Sequence, residues 1–145
     1  MFVMRASKIA SLTALIVGVA WLLKVILIWA GGGANTDGGL VAVSYFVGVA
    51  ALAVALLTGG YAVVARAPVW LRAVVSVATL LLGWILFTSI DSAAKGVYSA
   101  DGWFRDELGI LICALVALVV GGIGFRRVKA AAPPVPRHGG HRASR

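Results

Sequence analysis

Acidic side chains are scarce in this sequence. Of 145 residues five are Asp or Glu, against 13 Lys and Arg, and the formal net charge is +8. The five are Asp37, Asp91, Asp101, Asp106 and Glu107. The adjacent pair Asp106-Glu107 leaves a helix on different sides, so no carboxylates stand at catalytic spacing. The two histidines, His138 and His141, lie in the C-terminal tail. That excludes a Ser-His-Asp set and a haem held between facing helices, and their Gly-Gly spacing without Cys or acid partners reads as a loose end. The one cysteine, Cys113, cannot form an internal disulfide and reads as a small packing residue. The glycine-rich segment 31–39 has no following Lys-Ser/Thr pair, which a phosphate-cradling loop needs. No enzyme activity, no cofactor and no metal is expected from these absences.

What the chain has instead is apolar length. Hydrophobic residues make up 61% of it, and the mean hydropathy is +1.01. They fall into runs near 9–30, 40–65, 69–90 and 108–125. A run of about 18–20 such residues is long enough to cross about 30 Å of hydrocarbon. The expected fold is an all-α membrane protein of four transmembrane helices in an antiparallel bundle. Residues 1–125 form the membrane domain and 126–145 a flexible basic tail stiffened by Pro133, Pro134 and Pro136.

The charges then sort by side. With four spans, every acid lies on one face, where Lys95 and Arg105 are the only basic residues. Arg5 and Lys8, the loop and helix-start residues Arg66 and Arg72, and Arg126, Arg127 and Lys129 with the rest of the tail lie on the other. Lysine and arginine mark the cytoplasmic side, which predicts a multi-pass inner-membrane protein with both termini inside. The dispersed positive charge suits anionic lipid headgroups, and Arg66, Arg72, Arg126, Arg127 and Lys129 are the expected contacts. Nucleic acid is not expected as a partner. The first run is too long for a signal peptide core and carries Lys24, so cleavage is not expected.

Loops are short. Segment 31–39 holds five glycines in nine residues and reads as a permissive hairpin linker. The three residues 66–68 force the second and third helices into a hairpin, with Pro68 placed to open the latter. Segment 92–107 is the one outer loop with mixed chemistry. Its Tyr98, Trp103 and Phe104 are of the types that settle at a headgroup boundary, so it is expected to lie on the membrane.

Within the membrane, close helix approach relies on small residues. Gly109, Cys113, Ala117 and Gly121 recur at strict i+4 spacing; Ser44, Gly48, Ala51, Ala55 and Gly59 form a second stripe; Ser76, Thr79 and Gly83 form a third. They read first as packing faces inside the bundle and second as a face for another membrane protein or a second copy. Trp21 and Trp84 lie deep, and each indole N–H needs an acceptor, such as a backbone carbonyl.

Lys24 is the one charge inside a span, where it costs about 2.5–3.5 kcal/mol on insertion scales. Its side chain leans toward the helix N-terminus, away from the nearer surface, so snorkelling is awkward and a partner is expected. By depth the first candidate is Asp91, followed by Asp106 and Glu107. Small size, minimal loops and absent catalytic chemistry lead to a non-enzymatic accessory or assembly subunit of a larger bacterial inner-membrane complex, a transporter or respiratory assembly. A small oligomeric transporter or channel built around Lys24 and the outer acids is the alternative, with a holin-like or phage-encoded membrane protein third.

Overall fold

The computed structural model describes residues 2–33, 38–97 and 102–130. Among these the regular structure is all helix, with α1 Phe2–Ala30, α2 Gly39–Val63, α3 Val69–Val97 and α4 Trp103–Ala130. Asp37, Tyr98, Asp101 and the tail from 131 onward, with its two histidines, lie outside the described residues. All four helices are long and apolar enough to cross a membrane.

Three of the four helices, α1, α3 and α4, are longer than their apolar runs, while α2 ends two residues short of its run. α1 starts seven positions before Ile9, because Phe2–Lys8 contains neither Gly nor Pro and its polar residues are tolerated in a helix. α3 continues past Asp91 to Val97, helped by an i,i+4 ion pair from Lys95 to Asp91. α4 begins at Trp103, and at its other end runs through Arg126, Arg127 and Lys129 to Ala130, where basic residues complement the helix dipole. Most of the expected loop 92–107 is therefore helix, and the expected tail is helical as far as Ala130.

The ends have local causes. At α1 the Gly33 amide donates to the Ile28 carbonyl and the Gly32 amide to that of Trp29, with φ of 68° at Gly32 and 79° at Gly33. That left-handed cap favours glycine and closes the helix. At α3 the carbonyl of Pro68 accepts the first intrahelical bond, from the Arg72 amide at 3.1 Å.

The helices form a ring. Each packs on its neighbour in sequence, and α1 closes against α4, while the backbones of the diagonal pairs stay apart. Contacts along the α1–α4 and α2–α3 pairs run in opposite numerical order. On α1 and α4, Gly18 faces Ala114 and Leu118, whereas Leu15 and Ser11 face Gly121, and Ser11 also faces Gly124. On α2 and α3, Gly60 meets Ser76 and Thr79, and Leu56 meets Gly83. The diagonal is filled by large side chains. Trp21 stacks on Phe87 with ring centroids 5.0 Å apart, and Val17, Ile110 and Ala114 complete the core. The hydroxyls of Ser11, Ser44, Ser76 and Thr79 each donate to the carbonyl four residues earlier, so none is left unpaired in an apolar setting.

The small-residue stripes separate by neighbour. From Gly109 to Gly121 is twelve positions, which turns a helix face by about 120°. Gly109 consequently lies against Asp91 of α3, and Gly121 against Leu15 and Ser11 of α1. Cys113 and Ala117 between them pack against the central core. On α2, Ser44 is buried, Ala51 packs on the core, and Gly48 lies under the Trp21 indole, where a Cβ would collide with the ring. Ala55 is half-buried. Gly59 has open space where a Cβ would stand, and the close approach to α3 is made by Gly60.

Candidate functional site

One end of the bundle gathers the C-termini of α1 and α3 and the N-termini of α2 and α4. A cavity of about 450 Å³ opens there, lined by Lys24, Tyr45, Asp91, Lys95, Asp106 and Glu107 among others. Two ammonium groups and three carboxylates thus share one space, one from α1, two from α3 and two from α4.

Lys24 donates to both carboxylate oxygens of Glu107 at 2.5 Å, and both side chains are buried. The ammonium also stands 5.4 Å from the centre of the Tyr45 ring. The partner is therefore Glu107, whereas depth alone favours Asp91. Both acids are at a suitable level: Asp91 lies six residues before the end of α3, Lys24 six before the end of α1, each about 9 Å in at 1.5 Å per residue. What separates them is position around the ring. α4 is the neighbour of α1, while α3 stands across the diagonal behind Phe87 and Trp21. Asp91 instead accepts from Lys95 at 2.8 Å. Sequential placement sets the roles on α4: Glu107 is buried and Asp106 is exposed.

The floor of the charged cavity is aromatic. Phe87 lines it and also lines a second cavity of about 220 Å³ below, to which all four helices contribute apolar side chains including Trp21, Leu52, Ile90, Cys113 and Ala117. The Trp21 indole N–H donates to the Tyr45 carbonyl at 3.3 Å, which locks that ring between α1 and α2. Trp84 is a less enclosed neighbour, with its ring 5.7 Å from that of Phe87.

The opposite end is basic. Arg5, Lys8, Arg66, Arg126, Arg127 and Lys129 are exposed there, and the last four of these are expected headgroup contacts. Arg72 differs from the rest. Its Nε donates to the Ala67 carbonyl at 2.7 Å and its Nη1 to the Tyr61 hydroxyl at 3.0 Å, so it also braces the α2–α3 corner. Sequence reasoning passed over Tyr45 and Phe87. Tyr45 is one residue from Ser44 of the small-residue stripe, and Phe87 lies i+4 before Asp91; that spacing was the available signal.

In chemical terms the arrangement can hold two ion pairs and present a mixed-charge mouth to polar groups entering from that end. No family model matches this chain, and neither does any curated protein or solved structure.

Proposed function

We propose that the protein is a non-enzymatic accessory or assembly subunit of a larger bacterial inner-membrane complex, a transporter or respiratory assembly. In this reading the chain is an antiparallel bundle with both termini cytoplasmic. The basic end meets anionic headgroups, and the charged cavity faces outward. The observation that carries the subunit role is the use of the buried charge. Lys24 is committed to Glu107, and below the pair the bundle turns apolar across the Trp21–Phe87 stack. Charge deployed this way joins helices. Transport through one bundle needs polar groups on both sides of that stack. What the fold leaves for partners is its outside, above all α3, the least enclosed helix.

The second reading, an oligomeric transporter, is favoured by one fact: the charged cavity reaches Lys24. A mild-detergent pull-down of tagged protein from its native membrane, read by mass spectrometry with Lys24→Met in parallel, separates the two. A larger membrane protein recovered in fixed stoichiometry is the expected outcome. Recovery of the chain alone as a defined oligomer, with ion flux in vesicles that Lys24→Met abolishes, overturns the subunit reading.

A further inference from the structure

The charged and apolar cavities meet at Phe87, and together they change character along one continuous face. On α3 the face reads Gly83, Phe87, Asp91, Lys95 at i+4 spacing, apolar toward the middle of the helix and charged toward its end. On α4 the opposing wall reads Glu107, Ile110, Cys113, Ala117 in the mirrored sense. α3 and α4 are also the neighbours in loosest contact. Leu86 and Val116 on the rim of the apolar cavity are exposed, so the space opens sideways between these helices.

We infer that the α3–α4 groove binds one phospholipid with a zwitterionic, amine-bearing headgroup, its head in the charged cavity and one acyl chain in the apolar cavity below. Three observations select this occupant. The polarity sequence is that of an amphiphile standing along the bundle axis. The lower cavity, about 220 Å³, exceeds the about 150 Å³ that admits a benzene-sized apolar guest, so a stretch of chain fits, and filling it restores the contacts an empty space forfeits. The upper cavity holds two lysines against three carboxylates, one negative charge in excess. A headgroup that is only anionic meets that excess unfavourably. One carrying both signs gives its phosphate to Lys95, whose side chain is 41% exposed, and its ammonium to exposed Asp106.

The test uses the full chain in vesicles of phosphatidylethanolamine and phosphatidylglycerol with a trace of phosphatidylethanolamine bearing a photoactivatable diazirine in its acyl chain. Labelled residues are mapped by mass spectrometry. Labelling of the outward-facing Val77, Leu81 and Ile85 reports that the bundle sits in the bilayer, and so separates failure of this site from failure of the membrane reading. The expected result is several-fold enrichment at Ile90, Cys113 and Ala117 over those three, reversed more effectively by unlabelled phosphatidylethanolamine than by phosphatidylglycerol. Ala117→Phe, which fills the apolar cavity, removes the enrichment. Asp106→Asn, at the exposed mouth, lowers the preference for phosphatidylethanolamine about threefold, the scale of one solvent-facing charge contact. Labelling no stronger in the groove than on the outer faces, or phosphatidylglycerol competing as well or better, overturns the proposal. The competition needs no variant and decides the matter if Ala117→Phe fails to fold.

Discussion

Lys24 and Lys95 each hold a carboxylate in the same cavity, yet the two ion pairs belong to different structural levels. Lys24 and Glu107 are 83 positions apart, on adjacent helices, and both are buried. Lys95 and Asp91 are one turn apart on α3 and half open to solvent. The first is a tertiary contact that fixes α1 against α4 in depth and rotation. The second is a local contact that extends a helix beyond its apolar run. A buried pair gains little net stability over apolar residues of the same shape, because desolvation offsets the attraction, but removing one member strands the other. An exposed i,i+4 pair costs little to form and little to lose.

The sharpest way to break the comparison is therefore at Lys24. Lys24→Met leaves Glu107 buried without its cation and is expected to destabilise the fold by about 3–5 kcal/mol. The double variant Lys24→Met/Glu107→Leu is expected to recover most of that loss. Denaturant titration of the four proteins in mixed micelles gives the coupling energy directly. The corresponding cycle with Asp91→Asn should lie much closer to additive. Strong coupling to Asp91 with none to Glu107 would show the pair to be assigned to the wrong helix.

The next effect concerns glycines of one stripe that the fold treats differently. A side chain at Gly48 collides with the Trp21 indole, while one at Gly59 meets nothing. Gly48→Val is expected to cost about 1–3 kcal/mol by overpacking. Gly59→Ala is expected to be neutral or to stabilise by up to about 1 kcal/mol through helix propensity. Equal losses at both would mean that Gly59 also lies at a helix contact.

These two pairs of residues show what the sequence makes legible. Helix number and apolar cores are written in the composition, because a span must satisfy its backbone internally and be apolar over its length. Helix ends were underestimated, by seven residues at the start of α1 and by the six residues beyond Asp91 at α3, because hydropathy ends where charge begins, while helix continues until the backbone turns out of it, as in the left-handed cap at Gly32 and Gly33. Depth along a helix was legible too: Lys24 and the outer acids were expected near one level. Azimuth was not. Which acid meets Lys24 depends on the order of helices around the ring, and which of Gly59 and Gly60 meets α3 depends on a rotation of about 100° between successive positions. Neither quantity is encoded in a linear pattern of apolar and small residues.

The smallest effect probes the local pair. Lys95→Ala removes one partner of Asp91 at a site where water can replace it, so the expected loss is below about 0.5 kcal/mol, within the range of exposed helical ion pairs. Raising the salt concentration should shrink even that, because screening acts on open charges, while leaving the Lys24–Glu107 coupling nearly unchanged. A paired titration of the two cycles against salt therefore reads burial from energetics. If the Lys95 term proves as large and as salt-resistant as the Lys24 term, then the mouth of the cavity is closed to water in the membrane, and both pairs belong to the buried class.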